Sequence, residues 1–150
     1  MFDLKRLHCR LLHCALTGIF WLTLSNAQAM TVDLQDLQQL QGYQRILLVD
    51  GRRLDKQGLH NLAQQNKAVS ERHIVWFWLE DSGIRDNYAG ALSLQVKQQI
   101  ATLLLDSQVR LIGKDGGSKY QSDSLDLAQI FALIDSMPMR QQEMRKQTPN

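Results

Sequence analysis

Cysteine and proline are both scarce in this sequence, with two of each in 150 residues. The two cysteines, Cys9 and Cys14, lie close to the N-terminus. Residues 30–150 therefore contain no thiol, which excludes dithiol exchange, a peroxidatic cysteine and cysteine–metal coordination from that part of the chain. Proline is confined to Pro138 and Pro149, so no proline-rich linker divides the chain.

An excess of charge of one sign is also missing from residues 30–150, which contain as many basic as acidic side chains. Proteins that bind nucleic acid depend on clustered lysine and arginine to contact phosphates. The densest basic stretches here, "GRRLDK" and "RQQEMRK", also contain acids, which is typical of solvated surface. We therefore expect no nucleic-acid partner.

The N-terminus has the pattern of a secretory signal peptide. Three basic residues precede the apolar run Cys14–Leu24, and small residues follow it at Ala27 and Ala29. A membrane anchor is the alternative, but the run is shorter than the roughly 20 residues that a spanning helix needs. We predict that residues 1–29 are removed and that residues 30–150 are periplasmic or secreted, without insertion in the membrane.

Apolar runs predict the strands of a sheet that is covered on both faces. Two of the runs do not alternate with polar residues, as is usual for central strands packed between helices. Within the second run, Trp76 and Trp78 share one side of the strand and Phe77 lies on the other, and burial of both sides is the expectation. The predicted strands are "RILLVD" (Arg45 to Asp50), "HIVWFWLE" (His73 to Glu80), "QVRLIG" (Gln108 to Gly113) and the alternating "SKYQS".

Apolar residues at spacings of three and four predict helices between and after these strands. Pro138 would cost about 3 kcal/mol inside a helix, so the last long helix should end or kink near Met137. We expect "RQQEMRK" to add a short surface turn of helix after it. The predicted segments are an amphipathic segment from Val32 to Leu40, and helices over Asp55–Val69, Ser93–Leu105 and from Asp123 or Ser124 to Met137.

The glycine-rich stretch "LIGKDGGSKYQS" (Leu111 to Ser122) can be interpreted as a phosphate-binding loop or as a tight hairpin. A phosphate loop needs the order G-x-x-x-x-G-K-[ST] and leads directly into a helix. Here the glycines are followed by a strand-like alternation. Asp115-Gly116 is a dipeptide that favours a tight turn between antiparallel strands, so we predict the hairpin.

The element order β-α-β-α-β-β-α, together with two C-terminal stretches, resembles a known family. "VRLIGKDGGSKYQS" through "LDLAQIFALIDSMPMRQQEMR" is similar to the C-terminal signature of the bacterial domain-of-unknown-function family 4174, which belongs to the wider DUDES group. The resemblance covers about Leu40 to Arg145. Its signature residues, of unknown role, are Gly113, Lys114, Asp115, Gly116, Gly117, Met137, Pro138, Met139 and Arg140.

The resemblance implies an α/β, thioredoxin-like fold, usually exported and without an established activity. We therefore expect residues 30–150 to form a single domain with a short charged C-terminal tail. Its central mixed sheet should have about four strands, with a C-terminal hairpin, and should be flanked by helices.

Redox-active thioredoxin-like proteins, however, have a Cys-x-x-Cys pair after the first strand, where a helix N-terminus lowers a thiol pKa. This sequence has "DGRRLDKQGL" at that place. They also have a cis-proline before the third strand, where this sequence reads "LLLDSQVRLIG". Thiol oxidoreductase and peroxiredoxin activities are therefore not expected.

Charged residues after the first strand are a candidate for another chemistry at the same place. Asp50, Arg52, Arg53 and Asp55 follow a strand end, where α/β folds tend to bind ligands, and arginine forks suit carboxylate or phosphate. The favoured interpretation is a solvated turn and a helix cap.

Met137, Met139 and Met144 are a candidate Cu(I) site, because thioether sulfur is a soft ligand. The favoured interpretation is packing after the last long helix. His60 and His73 lack metal-ligand spacing. The sequence therefore favours a redox-inactive, exported binding or accessory module that needs no cofactor and meets an unknown protein or small-molecule partner. The alternative function is periplasmic Cu(I) handling.

Overall fold

The sheet of this protein has five strands. The computed structural model describes residues 33–147, and its strands are β1 (Arg45–Asp50), β2 (Ile74–Glu80), β3 (Gly83–Asp86), β4 (Val109–Ile112) and β5 (Ser118–Ser122). Their order across the sheet is β3-β2-β1-β4-β5. Strands β1 and β2 are parallel, and the other neighbours are antiparallel. The predicted α/β fold with a mixed sheet is confirmed, and the topology is consistent with a thioredoxin-like arrangement.

Helices cover both faces of the sheet. The described helices are a short 3-10 helix (Leu37–Leu40), α1 (Lys56–Gln64), α2 (Asn66–Glu71), α3 (Leu94–Leu103), α4 (Leu127–Ser136) and α5 (Pro138–Gln147). The 3-10 helix and α3 pack on one face, and α1, α2 and α4 pack on the other. Because successive side chains of a strand point to opposite faces, Phe77 joins the first core and Trp76 and Trp78 the second, as predicted.

Strand β3 was not predicted, so the expectation of about four strands is corrected to five. Its sequence "GIRD" has one apolar residue, and it lies at the sheet edge with alternate residues exposed. An edge strand covered by little protein needs few apolar side chains, which is why apolar patterning does not reveal it. The predicted hairpin is confirmed: β4 and β5 are antiparallel, and Gly116 adopts a φ of +80° in the turn between them.

Several predicted helix boundaries are wrong. The helix predicted over Asp55–Val69 is divided at Gln65 into α1 and α2. Helix α4 begins after Asp126, whose carboxylate accepts a hydrogen bond from the Gln129 N–H at 2.9 Å, and not at Asp123 or Ser124. Such a cap contributes about 1 kcal/mol.

The end of α4 matches the effect expected of Pro138. Helix α4 stops at Ser136, and Pro138 is the first residue of α5, a position where its missing N–H is not needed. The short turn expected for "RQQEMRK" is a helix of 10 residues. The predicted segment from Val32 to Leu40 is helical over Leu37–Leu40, and Val32 lies outside the described residues.

The predicted signal peptide and its cleavage after Ala29 also lie outside the described residues. Within residues 33–147, none of the helices combines the length and the apolar character that a membrane span requires.

Candidate functional site

Asp50 and the two arginines that follow it form a closed local cluster at the end of β1. Arg52 donates to Asp50 through Nε and Nη2, both at 2.8 Å, and Arg53 donates through Nε at 2.8 Å. Hydrogen bonds from Arg52 chiefly lower the pKa of Asp50, so the carboxylate is charged. Arg53 also donates to the carbonyl of Leu104. Asp55 is not part of this cluster, because it caps α1 by accepting from the Gln57 N–H.

A second cluster of charges surrounds Glu143 of α5. Arg45, the first residue of β1, donates to both carboxylate oxygens of Glu143, at 3.1 and 3.3 Å. Lys114 Nζ, from the β4–β5 hairpin, lies 2.7 Å from Glu143 Oε1 and 2.7 Å from His73 Nδ1. Arg45 and Lys114 are almost fully buried, at 1% and 8% exposure. The start of β1, the hairpin and α5 therefore meet at one carboxylate.

Arg140 extends the Glu143 cluster to a second carboxylate. Its Nη1 lies 3.6 Å from Glu143 Oε2, and its Nε donates to Asp135 at 3.4 Å. Arg72 also donates to Asp135. The joined cluster thus holds four permanent cations and two carboxylates. Arg140 Nη1 is buried, and its distance to Glu143 is that of an ion pair and not of a hydrogen bond. Within residues 33–147 this atom has no hydrogen-bond partner.

The surroundings of Glu143 and His73 fix their protonation. Burial acts to raise the pKa of Glu143, but hydrogen bonds from Lys114 and Arg45 outweigh it and lower the pKa to about 2. Burial and the charge of Lys114 lower the pKa of His73. A neutral His73 accepts through Nδ1 from the Lys114 ammonium, which can only donate.

The two signature segments of the sequence are brought together around this cluster. Lys114 and Arg140 both lie within it, and Gly113 and Asp115 flank Lys114 in the hairpin. A Cβ on Gly113 would lie 2.7 Å from both Asp115 Oδ1 and Lys119 Cε, so a larger residue here would displace these two side chains. Asp115 accepts from the Gly117 N–H at 3.1 Å and pairs with Lys119 at 2.6 Å.

A groove lies on one side of the hairpin, with a volume of about 680 Å³. Its floor is aliphatic, made by Leu37, Ile46, Leu103 and Ile112. Its rim carries six glutamines from the 3-10 helix region, the approach to β1 and α3, and we call it the glutamine groove: Gln38, Gln41, Gln44, Gln95, Gln98 and Gln99.

The glutamine groove is acidic as well as rich in amides. Asp36 and Asp115 line it, and no lysine, arginine or histidine is among its lining residues in the described chain. Gln99 Nε2 donates to the Asp36 carboxylate at 3.0 Å. Gln41 Nε2 donates to the backbone carbonyl of Asp115, also at 3.0 Å. The side-chain amides of Gln38, Gln44 and Gln98 have no hydrogen-bond partner within residues 33–147.

A cavity of about 410 Å³ lies on the other side of the hairpin. We call it the C-terminal cavity. Its cationic lining comes from Arg45, Lys114 and Lys119, and its apolar lining from the start of α5 and the residue before it, Met137, Pro138 and Met139. Gly113 and Asp115 line this cavity as well as the glutamine groove.

The methionines predicted as a Cu(I) site are divided by the structure. Met137 and Met139 line the C-terminal cavity, whereas Met144 is not among its lining residues. Met137 also packs against the core that contains Trp78, in agreement with the packing interpretation. Met139 is 46% exposed. The Cu(I) site remains a prediction.

Sequence patterns missed Glu143, Arg45 and the glutamine groove. Glu143 lies inside "RQQEMRK", which reads as ordinary surface because its partners are 29 and 98 residues away. The glutamines are scattered in the sequence, although Gln95, Gln98 and Gln99 have the three- and four-residue spacings that place side chains on one helix face. That spacing is the sequence signal from which a glutamine-rich face of this helix could be predicted.

Comparison with protein families gives one finding. The model of a family described as a domain of unknown function, DUF4174, matches residues 36–143. This range includes the hairpin, the glutamine groove and Glu143. None of the curated proteins or solved structures compared with the chain matches it.

Proposed function

The chain belongs to the DUF4174 family of domains of unknown function, and we propose that it is an exported, redox-inactive module that binds a segment of a partner protein in the glutamine groove. The observation that carries the proposal is the groove itself, an aliphatic floor bordered by six glutamines. Its volume falls within the roughly 300–1,000 Å³ typical of ligand sites.

The hydrogen-bonding groups of the groove suit a peptide backbone. A glutamine amide both donates and accepts, and so does a peptide group, so each free rim amide can satisfy one N–H or one carbonyl of an extended segment. Gln38, Gln44 and Gln98 are the described rim residues with unused side-chain amides, and Gln44 and Gln98 are the two that we select for substitution. An apolar side chain of the segment would rest on the floor made by Leu37, Ile46, Leu103 and Ile112.

The charge of the groove restricts the segment further. Asp36 repels an acidic peptide and favours a neutral or basic one, since the described lining has no cation to offset it. Asp115 contributes less, because Lys119 lies 2.6 Å from its carboxylate. The lining residues within 33–147 include no aromatic ring either. A floor without a ring fits an aliphatic side chain better than a flat ring.

Export and redox inactivity are supported by the sequence. The N-terminal pattern is that of a cleaved signal peptide, and residues 30–150 contain no cysteine. The place after β1 is occupied by Asp50 and two arginines whose donors are already used. Arg52 donates twice to Asp50, and Arg53 donates once to Asp50 and through Nη2 to the Leu104 carbonyl. The test is an insulin-reduction assay on the protein, in which turnover above a boiled control would contradict redox inactivity.

Synthetic nine-residue peptides test the binding proposal. Each has a central leucine, flanked by neutral, lysine or glutamate residues, and binding is measured by fluorescence anisotropy. We expect neutral and lysine peptides to bind and glutamate peptides to bind at least tenfold more weakly. The double change Gln44→Ala with Gln98→Ala should weaken binding about tenfold, because each lost hydrogen bond contributes about 0.5–1.5 kcal/mol.

The matched control is Gln147→Ala, which removes an exposed glutamine from the end of α5, away from the groove lining. It should leave the affinity unchanged. Equal binding of acidic and basic peptides, or an affinity that is unaffected by the Gln44 and Gln98 changes, would contradict the proposal.

Cu(I) handling through Met137, Met139 and Met144 is the second candidate. The observation in its favour is that Met137 and Met139 line one cavity; against it, Lys114 and Lys119 line the same cavity and repel a cation. The test replaces all three methionines by leucine and measures Cu(I) affinity by competition with a chromophoric chelator. An unchanged affinity would remove this candidate.

A further inference from the structure

We propose that the C-terminal cavity binds a medium-chain fatty carboxylate. The carboxylate would lie beside Lys114 and Lys119, and the alkyl chain against Met137, Pro138 and Met139. This site is separate from the glutamine groove, although the hairpin forms a wall of both.

The first support is the unbalanced charge behind the cavity. Four permanent cations and two carboxylates make up the joined cluster of Glu143 and Asp135. Arg45, Lys114 and Arg140 are at most 8% exposed, and buried charge without a counterion is costly. A bound anion would reduce that excess of positive charge.

The second support is the supply of hydrogen-bond donors on the cavity lining. An ammonium group has three hydrogens. Lys114 uses two of them, on Glu143 and His73, and Lys119 uses one, on Asp115. The remaining hydrogens of both lysines have no acceptor within residues 33–147, and both residues line the cavity.

The third support is the apolar wall opposite the lysines. Met137, Pro138 and Met139 present thioether and ring carbons to the cavity, and Met139 is 46% exposed. Methionine adapts its shape to alkyl chains because it is unbranched and polarisable. A wall of this kind does not suit inorganic phosphate, which is strongly hydrated, and favours a singly charged group attached to an apolar chain. The volume of about 410 Å³ is large enough for a chain of medium length.

The test is isothermal titration calorimetry on protein purified after expression of the full chain, with four probes: octanoate, octanol, octyltrimethylammonium and inorganic phosphate. We expect octanoate to bind at least tenfold more tightly than each of the other three. Octanol or octyltrimethylammonium binding as tightly as octanoate would overturn the role of the lysines. Phosphate binding as tightly would overturn the role of the apolar wall.

Two variants place the ligand in this cavity. Lys119→Gln removes a partly exposed cation from the lining and should weaken octanoate binding about tenfold. Met139→Glu adds a negative charge at an exposed position of the apolar wall and should abolish binding without disturbing the core. The matched control is Lys97→Gln, an exposed position of α3 outside the cavity lining.

Octanoate affinity that is unchanged in both cavity variants would overturn the proposal. So would a peptide with a free leucine C-terminus that binds more tightly than octanoate, because the site would then belong to a protein partner. The Gln44→Ala and Gln98→Ala changes should leave octanoate binding unaffected, so failure of the peptide proposal and failure of this one are distinguishable.

Discussion

The two ends of β1 each bury a charge, and they compensate it in opposite ways. Asp50 at the end of the strand is fully buried, and its partners Arg52 and Arg53 follow within three residues. Arg45 at the start of the strand is equally buried, and its partner Glu143 lies 98 residues later. The buried charge at the end of β1 is compensated by residues next to it in the sequence. The buried charge at the start of β1 is compensated by a residue that only the fold brings close.

The difference lies in what remains when the central carboxylate is removed. The side chains of Arg52 and Arg53 are 40% and 43% exposed, so without Asp50 they can turn into water. Arg45 and Lys114 cannot reach water in this way, because they are only 1% and 8% exposed. The Glu143 cluster should therefore depend much more strongly on its carboxylate than the Asp50 cluster does.

The largest effect is expected for Glu143→Gln. Loss of the carboxylate leaves Arg45 and Lys114 buried without their counterion, and breaking a buried pair in this way costs about 3–5 kcal/mol of unfolding free energy. Urea denaturation followed by tryptophan fluorescence measures it. Glu71→Gln is the control, because Glu71 pairs with Lys67 at the surface of α2 and should contribute less than about 1 kcal/mol. Equal effects of the two changes would refute the comparison.

Acid should reproduce part of that loss in the unchanged protein. The pKa of Glu143 is about 2 when folded and 4.5 ordinarily. A lowered pKa stabilises the folded state fully above pH 4.5, and this contribution, about 3 kcal/mol, disappears as the pH falls through 2. Urea denaturation at a series of pH values should show the gap between the unchanged protein and Glu143→Gln narrowing below pH 4.5. A gap that stays constant down to pH 2 would contradict the assignment.

A smaller loss, about 1–3 kcal/mol, is expected for Asp50→Asn. The amide keeps the size of the side chain but loses charge-assisted hydrogen bonds, and both arginines can be rehydrated. The same denaturation measurement applies. A loss larger than that of Glu143→Gln would reverse the order of the two strand ends and disprove the role assigned to arginine exposure.

The same contrast explains how much the sequence could predict. The unbroken runs of β1 and β2 indicate a buried sheet because apolar patterning is local, and Asp115-Gly116 indicates the hairpin for the same reason. Strand β3 lacks the signal, since an edge strand with Ile84 as its one apolar residue needs little core. The start of α4 was misplaced because Asp123, Ser124 and Asp126 are all good capping residues.

The candidate site was predictable to a smaller extent. The Asp50 group is visible in the sequence because its members are neighbours, although Asp55 serves another helix. The signature stretches pointed to the hairpin and to α5 without showing that they meet. Contacts such as Arg45 with Glu143 leave no local pattern, because they are created by the path of the chain between them.

The way α5 is attached has a consequence for the order of folding. Arg140 is the one buried residue of this helix, so α5 joins the molecule through ion pairs more than through an apolar stripe. Arg45 and Glu143 are 98 residues apart in sequence. As long as α5 is undocked, the start of β1 has to bury a guanidinium without the carboxylate that compensates it. Completion of this end of the sheet is therefore tied to the docking of α5.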